Sequence, residues 1–188
     1  VNAGITGGGA TVGAAYDFGT GLTAAFGAQT TESAVFTDES LDAYALNAAY
    51  TADSYGVSVT YGVVETSTTN EDTYTAFNAY YLPEGSNLPS LSVGYEIGDI
   101  GGAAATVDEK TSFMVGLSWD EVGPGSAGIA LGHSSTVEGS DEEYQYEAYY
   151  SYPINDGMTI TPLIYSKDSA TSGQDDTTGV MVKTSFSF

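Results

Sequence analysis

Apolar and polar residues alternate with a period of two along nearly the whole chain, and no apolar run approaches the roughly 20 residues that a membrane helix needs. Successive side chains of a strand point to opposite faces, so this pattern builds strands with one apolar and one polar face. Residues 10–18 place Ala10, Val12, Ala14, Tyr16 and Phe18 on one face and Thr11, Gly13, Ala15 and Asp17 on the other. Residues 43–51 set Tyr44, Leu46, Ala48 and Tyr50 against Ala43, Ala45, Asn47 and Thr51. The same alternation predicts strands over 22–30, 57–64, 91–97, 111–119, 144–152, 158–166 and 178–188, with weaker ones over 73–82 and 127–134. That makes about eleven segments of about ten residues, the length that crosses a bilayer when tilted.

The connections predict how the strands are joined. Asp17–Gly21, Ala52–Gly56, Pro83–Pro89, Asp120–Ser126 and Pro153–Gly157 read as short turns, rich in the Gly, Pro, Asn and Asp that tight turns need. Residues 31–40, 65–72, 98–109, 135–142 and 167–176 read as longer polar loops. Short and long connections in alternation mark an up-and-down antiparallel barrel of an outer membrane, with turns on the periplasmic side and loops outside. Eleven is an odd count where single-chain bacterial barrels use even numbers. Residues 1–9 are therefore expected to end one further strand with its glycine-rich loop, giving 11–12 strands in this chain.

The charges are placed selectively. There are 25 acidic residues, three lysines (Lys110, Lys167 and Lys183) and a formal net charge of −22. Nucleic-acid binding is excluded as a function class, because phosphate contacts need many bases. Most acids fall in the predicted loops, among them Glu32, Asp38, Glu39, Glu65, Glu71, Asp72, Glu138, Asp168 and Asp175. Almost none falls on an apolar strand face, where a charge at mid-depth in lipid costs up to about 2–4 kcal/mol. With no Cys, the chain has no disulfide, thiolate nucleophile or thiolate metal site, and no cofactor is expected.

The apolar face carries Val, Leu, Ala and Ile at strand centres and Tyr, Phe and Trp near strand ends, as in the aromatic girdles of a membrane barrel. The opposite face is Ser, Thr, Gly, Asn and Gln with a few charges, which suits a wet lumen. Its larger polar residues, Asn47, Asn78, Glu96, Gln145, Glu147 and Lys183, are the candidates for lining a pore. Glu147 and Lys183 are near enough in strand order to form a structural ion pair. The chain ends Val180-Met181-Val182-Lys183-Thr184-Ser185-Phe186-Ser187-Phe188. This resembles the terminal strand by which barrel-assembly machinery recognises outer-membrane proteins, with Phe186 and Phe188 as the signal. An unpaired edge there would invite aggregation, so pairing with a first strand to close a barrel is expected.

An enzyme reading finds little support. The one histidine, His133, is followed by Ser134 and Ser135, but neighbouring strand residues point to opposite faces, so His133 and Ser134 do not form a nucleophile–base pair. The scattered carboxylates show no glycosidase-like pairing.

Three segments carry a family resemblance: Ser112-Phe113-Met114-Val115-Gly116-Leu117-Ser118-Trp119-Asp120, Ala127-Gly128-Ile129-Ala130-Leu131-Gly132, and Tyr152-Pro153-Ile154-Asn155-Asp156-Gly157-Met158-Thr159-Ile160-Thr161-Pro162. In this order they resemble the C-terminal part of the OprB-type carbohydrate-selective porin family, in its cyanobacterial branch, with the match best over about residues 90–188. The resemblance implies a transmembrane β-barrel of 16 strands in the outer membrane, usually a homotrimer, preceded by a periplasmic surface-layer-homology domain. The chain is then expected to be the C-terminal portion of a longer porin. Passive diffusion of small hydrophilic solutes and inorganic ions is the implied activity, with sugars and ions, including iron, both open as cargo. The acid-rich loops, with Glu96 and Glu147 against Lys183, lead us to expect a preference for cations. A structural or adhesive barrel without an open lumen is the alternative, which conductance would separate from a pore.

Overall fold

The computed structural model describes residues 9–31, 40–84, 87–102, 107–169 and 174–187. Glu32, Asp38, Glu39 and Phe188 lie outside the described residues, as do residues 1–8. The described chain is all-β. It runs through β1 (Gly9–Asp17), β2 (Leu22–Thr31), β3 (Ala43–Thr51), β4 (Tyr55–Ser67), β5 (Asn70–Tyr81), β6 (Ser90–Asp99), β7 (Glu109–Val122), β8 (Gly125–Val137), β9 (Tyr144–Asn155), β10 (Met158–Lys167) and β11 (Thr177–Phe186). These form one antiparallel up-and-down sheet of 11 strands in sequence order. No helix among the described residues is long and apolar enough to cross a membrane.

All eleven expected strands are present, and several run beyond their expected ends. The segment 65–72, read as a long loop, is instead the tip of a hairpin: β4 and β5 continue to Ser67 and Asn70 and turn over Thr68 and Thr69. Hydroxyls supply the reason. Ser67 Oγ accepts the backbone N–H of Asn70 at 3.1 Å, and Thr66 Oγ1 donates to the Asn70 carbonyl at 3.3 Å, so the polar ends stay paired. Glu65, Glu71 and Asp72 therefore stand on strands rather than in a loop. The strict alternation of connection lengths breaks here, since the next connection, 82–89, is longer than the two-residue turn before it. Among the described residues β11 is hydrogen-bonded to β10 and β1 to β2, and β1 and β11 do not pair, so the described sheet is not closed on itself.

The chain divides into two compact units, one of Val1–Ala79, Tyr95–Thr111 and Val137–Gly139, the other of Tyr80–Gly94, Ser112–Thr136 and Ser140–Phe188. Within the first, register aligns the apolar positions across four strands. Val12 stands opposite Ala28, Ala28 opposite Tyr44 and Tyr44 opposite Val63; in the next row Ala14, Phe26, Leu46 and Tyr61 are aligned in the same way. The other face aligns Ala25, Asn47 and Thr60. The turn after β1 holds this register: the N–H of Gly19 is accepted by Asp17 Oδ1 at 2.8 Å, and Gly21 takes a φ of +83° that residues with a Cβ rarely adopt.

Within the second unit, Ile129, Ala148, Ile164 and Val180 form one apolar row across β8–β11. Leu131, Tyr146, Ser166 and Thr178 form the next. The turn between β7 and β8 passes through Gly123 at a φ of +63°.

Neither face is packed into a core. Among the described residues the buried apolar side chains are Ala28 and Ala43 only, while Leu46 is 58% exposed, Ile164 57% and Val180 74%. The buried polar set is larger: Thr30, Ser40, Asp42, Asp72 and His133. The hydrophobic effect in water drives the opposite arrangement.

Candidate pore lining

On the first unit, Asn47 faces a surface of small residues. Its Nδ2 donates to Thr60 Oγ1 at 2.8 Å and to the Val59 carbonyl at 3.2 Å, so its amide lies flat along the sheet. Asn78 is exposed on β5, and Glu96 is half-buried on β6. Two residues beyond Glu96, and on its face by alternation, Gly98 lies against the ring of Tyr74 and the stem of Lys110. A methyl group at Gly98 would come to 3.0 Å from both.

This glycine makes room for a cluster that sequence alone did not reveal. Lys110 Nζ is 3.2 Å from Asp72 Oδ2 and lies 4.6 Å from the centre of the Tyr74 ring. The Tyr74 hydroxyl donates to Asp72 Oδ2 at 3.0 Å, and the N–H of Gly101 donates to Asp72 Oδ1 at 3.1 Å. A buried carboxylate needs such partners to offset its lost hydration. The sequence signal was faint: an acid two residues before a Tyr, and a Gly on an otherwise polar face.

A second buried carboxylate stands where β2, β3 and β4 end. Asp42 accepts hydrogen bonds from the hydroxyls of Thr30 and Tyr44, and its backbone pairs with Glu65 in both directions: Glu65 N–H to the Asp42 carbonyl at 2.8 Å, and Asp42 N–H to Glu65 Oε2 at 3.0 Å. Burial pushes the Asp42 carboxyl up, but the hydroxyls of Thr30, Ser40 and Tyr44 outweigh it and hold the group below the ordinary carboxylate range.

On the second unit the polar face opens a concavity of about 650 Å³. Glu147 stands on it between Ala130 and Tyr165, and Gln145 between Gly132 and Lys167. The small residues of β8 leave the space above these side chains open. Lys167 Nζ is turned toward Glu143, 3.6 Å from its carboxylate. Tyr165 lies over Gly179 and Tyr149 over Gly128, where a Cβ on either glycine would overlap the ring.

The expected Glu147–Lys183 pair does not form. Glu147 stands opposite Tyr165, which stands opposite Gly179, whereas Lys183 stands opposite Thr161. Four residues along β11 separate Lys183 from the row of Glu147, about 13 Å at a strand's rise. Among the described residues the ion pairs are those of Lys110 and Lys167.

His133 sits in an aromatic cluster at the loop end of β8. Its ring meets Phe113 edge-on at 4.8 Å and Tyr144 at 5.9 Å. His133 Nδ1 is 2.8 Å from the Ser134 carbonyl, to which it donates, so Ser134 offers this ring its backbone rather than its hydroxyl. At the turn ends, Tyr16 and Phe18 pack edge-on at 4.8 Å, Tyr50 lies 6.0 Å from Tyr55, and Tyr150 lies 6.5 Å from Tyr152. Among the described residues no group of three or more His, Asp or Glu is disposed to hold a metal ion. The terminal-strand residue Phe186 is 61% exposed and stands opposite Met158. No protein-family model and no curated protein sequence matches the chain.

Proposed function

We propose that this chain is part of a transmembrane β-barrel of an outer membrane, akin to the OprB-type porins, and that each unit's polar face lines a water-filled passage for small hydrophilic solutes and ions. The observation that carries this reading is the inverted burial of the sheet: among the described residues the buried apolar side chains are two alanines, while Val, Leu, Ile and Phe stand exposed in register. Each large apolar side chain left in water forgoes about 1.5–3 kcal/mol. Soluble monomers rarely carry apolar patches beyond a few hundred Å². Lipid removes the conflict, and the aromatic pairs at the strand ends suit its two interfaces. The open edges of β1 and β11 are then closed by further strands of a larger barrel or by a partner chain, since an edge within lipid leaves backbone groups unsatisfied.

The pore favours cations. Two lysines are held beside carboxylates, which leaves Glu96 to set the field of the first unit's polar face, and Glu147 against Lys183 to set that of the second. Planar-bilayer recordings of the full-length protein test both statements. Stepwise conductance is expected, with a reversal potential across a KCl gradient on the potassium side that shrinks in Glu96→Gln/Glu147→Gln and grows in Lys183→Gln. Absence of conductance from protein shown to be membrane-inserted would leave the structural or adhesive barrel; a chloride-side potential would overturn the charge argument alone.

A further inference from the structure

The apolar face of the second unit is dented. A concavity of about 560 Å³ lies over β7–β11, within the size range of pockets that hold small ligands. Its floor is Ala148, which stands opposite Ile129 on one side and Ile164 on the other. The alanine between two isoleucines makes the depression, because each neighbour extends further from the sheet. Val115 completes the wall on the β7 side.

One end of the groove differs from the rest. The row above Ala148 runs through Tyr146, Ser166 and Thr178, three hydroxyl-bearing residues, and Ser166 Oγ is 3.2 Å from Thr178 Oγ1. Two residues further along β8 and β9 come His133 and Tyr144 of the aromatic cluster. Tyr and similar amphipathic rings collect where membrane meets water. The groove thus runs from an interface of hydroxyls and rings into a mostly apolar trough, with Glu147 and Tyr165 also at its lining, the polarity profile of an amphiphile. The connections beyond this end carry Asp141, Glu142, Glu143, Asp168, Asp175 and Asp176 against Lys167, which disfavours an anionic head group.

We infer that this groove is a seat for one acyl chain of a zwitterionic membrane lipid, its tail along Ile129, Ala148 and Ile164 and its head group at Tyr146, Ser166 and Thr178. The inference rests on the membrane reading above and adds a preferred site to an otherwise unspecific lipid contact. Such a lipid packs against the trough along its length.

Photo-crosslinking decides it. The full-length protein is reconstituted into vesicles of phosphatidylcholine containing a trace of the same lipid with a diazirine on its acyl chain, and labelled peptides are mapped by mass spectrometry. Labelling at Ile129, Ala148 and Ile164 is expected to exceed that at Phe26, Leu46 and Tyr61 several-fold. Ala148→Trp, which fills the trough, should abolish the excess. Ser166→Ala/Thr178→Val, which leaves the trough intact, should weaken it and shift labelling along the chain. Retained heat-modifiable mobility on gels establishes that each variant still folds. Equal labelling of both regions, or an excess that survives Ala148→Trp in folded protein, overturns the seat while leaving the membrane reading standing. Failure of any apolar position to label, with the protein recovered outside the vesicles, overturns both.

Discussion

Lys110 reaches back to Asp72, 38 residues earlier in the chain, and its ammonium stands 3.2 Å from the carboxylate. The pair is mostly shielded from solvent, and Asp72 also receives the Tyr74 hydroxyl and the Gly101 N–H. Lys110→Met removes the one cationic partner and leaves the buried carboxylate with neutral donors only. Unfolding in urea from lipid vesicles should show a loss of about 1–3 kcal/mol. The double variant Lys110→Met/Asp72→Asn should recover much of it, because no unpaired buried charge remains. Equal losses in both variants would mean that the lysine acts through packing alone.

Register orients the strands, and site-directed spin labels read the orientation directly. Labels replacing Phe113, Val115, Leu117, Val180 and Val182 are expected to be quenched by oxygen, which concentrates in lipid. Those replacing Ser112, Gly116, Ser118 and Lys183 should be quenched by water-soluble nickel chelates. Nickel accessibility at the first set would reverse the faces assigned here.

Tyr165 and Gly179 fit because one has a ring and the other has no Cβ. Gly179→Ala puts a methyl group into the space of the ring. A destabilisation of about 1–3 kcal/mol is expected from the overpacking. In the background of Tyr165→Ala the same substitution should cost far less, a coupling that a double-mutant cycle measures. Additive effects would show that ring and glycine do not share this space.

The Asp42 carboxyl has a lower pKa folded than unfolded, where 3.8 is the reference. A depressed pKa contributes stability that is fully present above the unfolded value and is lost as pH falls through the folded value. Exchange of the Glu65 amide, which donates to the Asp42 carbonyl, should therefore stay slow from about pH 7 to 5 after correction for intrinsic rates. It should speed up only below the ordinary carboxylate range. Thr30→Val removes one of the donors, so the onset should move to higher pH. An onset unmoved by that variant would place the titration elsewhere.

The strands could be read from the alternation because side-chain direction in an extended chain follows from covalent geometry alone. A run such as Tyr44, Leu46, Ala48 and Tyr50 declares its face whatever it meets. The polarity of Asn47, Gln145 and Glu147 likewise marked one face before any neighbour was known. Which residues stand beside one another depends on register, and register depends on turns and strand ends that local composition describes poorly. The Ser- and Thr-rich segment 65–72 looks like a loop by polarity, yet its hydroxyls and backbone groups find partners across the hairpin and keep the ladder intact. Strand order put Glu147 and Lys183 close together, and register set them in different rows. The same dependence hid the Lys110–Asp72 pair and the trough over Ala148. Each is made by residues distant in sequence, whose meeting is decided only when several strands have aligned.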